Sequence, residues 1–514
     1  MSLDQPISRR VFLRRGALLS AAFASLGSAP LLLRPEEAEG AIMGIGKELR
    51  DVLNEETVNR ILQEALARGG DFADVFAEQR YLTTIILDDG KIDSVTYGFP
   101  RGASVRVAHR NRTGFAFSDE IEYAPLLDAA RVASTVVENQ SRTQPMDVTP
   151  RPLAPSFLVQ SPLPLEPEPT KFDLVRRMDS AARAVDPRIV SVRVEYRDEV
   201  RDILVGTSDG NLFTDRQYLV SITCGPTAQQ GEDRRSGLAT LGGRVGIGYF
   251  QQVNVEAAAQ AAARQALLLL TAGPAPAGPM PVVVGPGWGG VLIHESLGHA
   301  LEGDGIRRGT SLLTGRLGSS VASPIVRVVD DGRWQNGRGS VSVDDEGTPG
   351  QRTLLVDGGV VQSYLLDKLN AGLLGLRATG NGRRMSYRNW PLPRMTNTFI
   401  DAGASDPDSL LSGITKGFYA AELGGGSVDT TSGNFNFAVR VGYRIENGRI
   451  TRPVRGAVLI GNSLETLQRI EGVGRDLAVD TTRGTCGKDG QMVAVGVGQP
   501  TVRFSAITVG GTAI

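Results

Sequence analysis

His109, His294 and His299 are the only histidines in a chain of 514 residues. Two of them stand five positions apart, and Glu295 directly follows the first. Two neutral imidazoles can hold a divalent metal while a neighbouring carboxylate takes a proton from water polarised there, which is the chemistry of zinc hydrolysis. The spacing is unusual for that role. In H-E-x-x-H the rings share one helix face, whereas five residues place them roughly 140° apart around a regular α-helix. Both can reach one metal if the helix widens into a π-turn or breaks near Gly298, and such irregularities are frequent at functional sites. The plain alternative is a helix whose histidines make local hydrogen bonds. His109 ends the alternating run 106–110 with no carboxylate or second histidine close in sequence, and reads as an exposed strand end.

The elements that must position these residues follow from composition and pattern. With 41% hydrophobic and 22% charged residues and a formal net charge of -1, the chain reads as a soluble globular protein of more than one domain, with no basic excess that would point to nucleic acid. Its 63 glycines and 27 prolines imply many turns and a β-rich architecture. Residues 1–40 are set aside as a twin-arginine signal peptide: Ser8, Arg9, Arg10, Val11, Phe12 and Leu13 precede an apolar run from Gly16 to Leu33 that is too short and polar for a stable membrane span. That leader implies export to the periplasm, or a cytoplasmic protein if it is not used.

An N-terminal α+β domain, helices packed on sheet, is expected over 45–272. Its predicted helices are Glu55 to Ala67, Ala124 to Val137, Asp173 to Val185 and Val255 to Leu270. Between them the strands are Asp71 to Gln79, Leu82 to Leu87, Lys91 to Tyr97, Ala103 to Ala108, Gly114 to Phe117, Ile189 to Tyr196, Asp202 to Gly206 and Gln217 to Cys224, with a hairpin turn at Asp89-Gly90. The order helix, strands, helix occurs twice, as an internal duplication would give. A proline-rich stretch, 145–169, reads as an extended surface connection, and the linker 273–279 marks the domain boundary. The domain over 280–514 is expected to be β-rich, barrel or sandwich-like, with short strands between Asp-Gly and Asn-Gly turns and a helix that carries the histidine pair. The overall class is α+β.

The run HESLGHALEGDGIRRGTS, with VSVDDEGTPGQ at 341–351, DKLNAGLLGLRATGNGRR at 367–384, GGGSVDTTSGNF at 424–435 and GTCGKDGQMVAVGVGQPT at 484–501, resembles the TldD/PmbA family of metallopeptidases. The histidine motif is that of the TldD branch, since the partner branch typically lacks it. The resemblance implies a zinc-dependent peptidase acting on short or unfolded peptides. It also implies a dimer that encloses the sites, formed with an identical chain or with a PmbA/TldE-type homologue. A leader is a departure from the usual members.

A catalytic zinc usually has three protein ligands, so a third must join His294 and His299. Local sequence favours Glu302, with Asp304 close behind it; Cys486, in the tight turn 484–487, matches the family's zinc-ligating cysteine, and the resemblance implies that it is the ligand. Glu295 would be the general base. The only two cysteines, Cys224 and Cys486, could instead form a disulfide in an oxidising compartment, which would remove Cys486 from any metal site. Gly424, Gly425 and Gly426 lack the context of a nucleotide loop and are candidates for close approach of a peptide backbone to an exposed strand edge. The competing functions are a peptide-binding or maturation factor with a structural zinc, and a non-hydrolytic exported scaffold.

Overall fold

Alternating apolar residues from Phe72 onward build unusually long strands. The computed structural model describes residues 49–137, 147–151 and 168–511; the leader and most of the proline-rich stretch 145–169 lie outside them. Phe72–Asp88 is a single strand of 17 residues where the sequence suggests two. It pairs with Ile189–Thr207 in one unbroken antiparallel register from Asp74↔Thr207 to Asp88↔Arg193. The polar step at Arg80 does not end it, because Arg80 stays in register with Arg201 and the Tyr81 ring packs 4.5 Å from Phe99. Ile189–Thr207 likewise runs through its charged middle, since Arg201 finds buried Glu78 at 2.8 Å. Asn211–Gln230 continues the sheet, which has nine strands among the described residues.

Helices cover this sheet in two groups. Glu55–Ala65 and Tyr123–Ser134 bury Val58, Ile61, Leu62, Leu126 and Ala130 over one half; Glu168–Arg183 and Val255–Thr271 close a second core around Val192, Val194, Ile222 and Cys224. Caps fix where two of them begin. The Asn54 and Asn254 side chains accept from the backbone N–H of Thr57 and Ala257, each contribution about 1 kcal/mol.

The C-terminal region is made of shorter and more irregular strands. Five of them close into a barrel: Lys416–Val428 pairs with Gly278–Val284, that with Val502–Gly510, that with Ala457–Asn462, and Asn434–Glu446 joins Ala457–Asn462 back to Lys416–Val428. Phe418, Phe437, Leu459 and Phe504 fill it. A six-stranded sheet runs beside the barrel, including Val328–Asp331, Asn397–Ile400 and Gly496–Gln499. The architecture is thus α+β with a β-rich C-terminal part, as the pattern implies. The segment 287–301 carries the histidines and packs against both the barrel strand Lys416–Val428 and the sheet strand Asn397–Ile400. Among the described residues no helix is long and apolar enough to cross a membrane.

Candidate metal centre

The histidine segment changes helical type three times within fifteen residues. A 3-10 turn, Gly287–Gly290, leads into the α-helical Val291–Ile293; His294–Gly298 is a π-turn, and His299–Leu301 returns to 3-10. The His299 N–H donates to the His294 carbonyl across the widened turn, so the five-residue separation that a regular helix would splay instead closes one turn. Packing holds the irregularity. Val291, Leu292, Ile293, Leu297, Ala300 and Leu301 are all buried. At Gly298 a Cβ would stand 2.1 Å from the sulfur of buried Met395, so a larger residue there would have to displace that side chain.

The two rings stand 5.1 Å apart, nearly perpendicular, and Cys486 completes the group from the hairpin Thr485–Lys488/Gln491–Ala494. One ligand atom from each of His294, His299 and Cys486 lies within 4.8 Å of the others. The Cys486 Sγ is 3.3 Å from His299 Nε2. Burial alone would raise the Cys486 thiol, but hydrogen bonds and charge from the two imidazoles outweigh it and bring its pKa down to about 5. The sulfur is therefore a thiolate at neutral pH, the form that binds metal. His294 Nδ1 is buried without a hydrogen-bond partner among the described residues. Two imidazoles, one of them with an orphaned ring nitrogen, and a thiolate match the donor types of a zinc site with three protein ligands.

Glu302, the local candidate for third ligand, has a different partner. Its Oε2 lies 3.1 Å from His299 Nδ1. A carboxylate can only accept, so Nδ1 carries a proton, while Nε2 faces Cys486. Lys488 Nζ donates to Glu302 at 2.9 Å and to Asp304 at 2.6 Å. Burial would raise the Glu302 carboxyl, yet Lys488, His299 and Arg394 together hold it at about 2. Arg394 also donates to the Cys486 carbonyl at 2.6 Å, fixing the hairpin. Neither Lys488 nor Arg394 stands out in sequence, since each acts from a separate segment. Glu295 Oε2 is 3.9 Å from His299 Nε2. Burial raises its carboxyl, and the two imidazoles partly offset the rise.

The remaining candidates sit apart. Cys224 and Cys486 are both free and belong to different cores, so no disulfide joins them. His109 is half-buried rather than exposed, with Nδ1 3.7 Å from Asp71, a carboxylate that the pairing of Phe72–Asp88 with Arg101–His109 and not the local sequence brings to it. Gly424, Gly425 and Gly426 lie in the bulged part of Lys416–Val428. That strand's other edge pairs with Gly278–Val284 only as far as Ala420, leaving residues 421–428 unpaired on that side among the described residues. Trp288 Nε1 donates to the Gly424 carbonyl at 3.4 Å, and Arg483 stacks over the Trp288 ring at 4.6 Å. The glycine run is thus linked by contact to the segment that leads into Cys486.

Residues 73–139, 162–270 and 277–511 match, in turn, the family models described as PmbA/TldA metallopeptidase domain 1, central domain and C-terminal domain. A protein of Haemophilus influenzae described as "Metalloprotease TldD homolog" is 40% identical over 469 residues, which are 90% of this chain and 97% of that protein. The chain belongs to the TldD/PmbA family of metallopeptidases. Another TldD/PmbA relative, described as "Zinc metalloprotease TldD homolog" from Saccharolobus solfataricus, is 26% identical over 457 residues, 88% of this chain and 99% of that protein. The fold is shared with TldE from Thermococcus kodakarensis at TM-score 0.70 and 18% identity, over 89% of this chain and 99% of that one.

Proposed function

We propose that the chain is a zinc peptidase in which His294, His299 and Cys486 hold the metal and Glu295 is the general base. The observation that carries this reading is the π-turn, which brings two histidines five residues apart to one point beside a thiolate from 187 residues further on. Zinc held there would supply Lewis acidity toward the scissile carbonyl and acidify water.

The chain's own residues do the rest. Glu302 keeps the proton on His299 Nδ1 and so keeps Nε2 available. Lys488 balances the buried Glu302 charge. Glu295 accepts a proton from the attacking water at its carboxylate and passes it to the leaving amine nitrogen; its raised carboxyl suits a group that must both take and return a proton. An extended peptide would add to the unpaired edge at 421–428, its backbone admitted by Gly424, Gly425 and Gly426 and its path bounded by Trp288.

Short or unfolded peptides are the substrates this edge suits, because only an extended backbone can pair along it. The active assembly would be a dimer, with an identical chain or a PmbA/TldE-type homologue. The motif from Ser8 to Leu13 supports export to the periplasm as a folded protein. The deciding experiment is the zinc content of the full chain beside Cys486→Ser, followed by hydrolysis of unstructured peptides. About one zinc per chain, lost in the variant together with hydrolysis, is expected. Zinc undiminished in the variant overturns the ligand set. Zinc bound without any hydrolysis would favour a structural metal in a peptide-binding factor.

A further inference from the structure

Six arginines, Arg80, Arg201, Arg244, Arg338, Arg383 and Arg384, line one cavity of about 200 Å³, with Glu199 and Asp345 as its only acidic lining residues. Four of the six are committed to carboxylates. Arg80 pairs with Glu199, Arg201 with Glu78 and Asp345, Arg244 with Asp215, and Arg384 with Asp74. The other two are not. Arg338 donates to the Gly484 carbonyl at 2.9 Å and Arg383 to the Met395 carbonyl at 2.6 Å, and among the described residues neither is ion-paired with a carboxylate.

Buried guanidinium charge without a counter-anion is costly. Burial, with Arg394 and Arg201 nearby, pulls the Arg383 pKa down to about 10 despite the opposing pull of Asp345. Arg201 Nη2 is in addition buried without a hydrogen-bond partner. The cavity therefore holds more positive charge and more N–H donors than its own walls satisfy, in the forked geometry that matches a carboxylate.

Its location connects it to the metal centre. Thr485, Met492, Val493 and Ala494 form part of the wall, and they belong to the hairpin that carries Cys486. Side chains alternate along a strand, so Cys486 and Lys488 face the metal cluster while Thr485 and Met492 face away from it. One β-ribbon divides the two.

We propose that this cavity binds a carboxylate of the peptide substrate, at its C-terminus or on an acidic side chain, with Arg338 and Arg383 as the principal contacts. The assignment rests on the peptidase reading for the identity of the ligand. It makes the enzyme selective for anionic peptides.

The test measures binding, not turnover, on the zinc-loaded full chain carrying Glu295→Gln. Dansyl-labelled hexa-alanine, whose fluorophore is uncharged at neutral pH, is compared as free acid, as carboxyl-terminal amide, and as the amide with one Glu in place of Ala, by anisotropy. At least one carboxylate peptide is expected to bind about tenfold more tightly than the neutral amide, with the difference lost in Arg338→Gln. Arg383→Lys, which keeps the charge but not the fork, should lose part of it. Equal affinities in the parent chain overturn the proposal without recourse to any variant, so a misfolded variant does not leave the question open. A preference that survives both substitutions places the carboxylate elsewhere, on the metal included, and also overturns it. Inorganic phosphate that binds in an Arg338-dependent way, while the peptides show no preference, assigns the cavity to a free anion instead. If the native chain cleaves no peptide yet keeps an Arg338-dependent preference, the peptidase reading fails and the carboxylate site stands.

Discussion

Cys224 and Cys486 are equally hidden, and they are chemically opposite. Cys224 sits in the middle of Asn211–Gln230, among Val192, Val194, Ala259 and Ala263, in a long strand with regular neighbours. Burial there, with Asp179 adding to it, pushes the thiol up to about 12. Cys486 sits on a four-residue strand against two imidazoles, and its pKa falls to about 5. Depth of burial is the same in the two regions; what differs is which side chains the backbone delivers. The N-terminal sheet delivers aliphatic neighbours through strands of 17, 19 and 20 residues. The C-terminal region, with its π-turn, bulged strand and short hairpin, delivers donors from separate segments to a point. Regularity builds a scaffold, and the departures from it carry the chemistry.

The largest expected effect tests the cysteines directly. In metal-free protein at pH 7, the thiolate populations implied by the two pKa values differ by about 10⁵-fold. Iodoacetamide should modify Cys486 and spare Cys224, by peptide mass mapping, with labelling of Cys486 falling off as pH drops below about 5 and suppressed by added zinc. Equal labelling would erase the contrast. Next is Glu295→Gln, for which kcat on an unstructured peptide should drop about 10²- to 10⁴-fold while zinc stays bound; retained activity would assign the base elsewhere. Glu302→Gln replaces the charged acceptor that fixes the His299 proton with a neutral amide, and zinc affinity should weaken by about 10- to 100-fold in a competition with a chelator. The smallest effect separates the regions through two glycines. Gly298→Ala meets Met395 and Gly237→Ala meets the Ala262 carbonyl of a scaffold helix, and each should cost about 1–3 kcal/mol in a urea melt. Only the first should also lower the zinc content.

The sequence made parts of this visible because some constraints are local. The unusual His294–His299 spacing already required a widened or broken helix, and the structure resolves it as a π-turn at Gly298. Most helices of the N-terminal part lie within a few residues of their expected places, because their apolar periodicity is a property of the segment itself. Interruptions at Arg80 and within 197–201 misled for the same reason: they look like breaks until the partner strand supplies counter-charges, Glu199 to Arg80 and buried Glu78 to Arg201. The metal centre was half legible. Glu302 was attractive as a ligand from its distance to His299 alone, and the structure instead turns it toward Nδ1 and Lys488. Lys488, Arg394 and Trp288 had no local signature, and the arginine cavity had none either, since its six arginines come from segments spread between 80 and 384.

The distance along the chain from His299 to Cys486 also sets an order in time. At about 5–20 residues per second, the ribosome needs roughly ten to forty seconds to make the 187 residues that separate the second histidine from the sulfur. Throughout that interval the nascent chain has two histidines and no thiolate beside them. With the ligand set proposed above, metal capture would therefore be among the last events of maturation, and a chain cut short before the Thr485–Lys488/Gln491–Ala494 hairpin would lack the sulfur ligand.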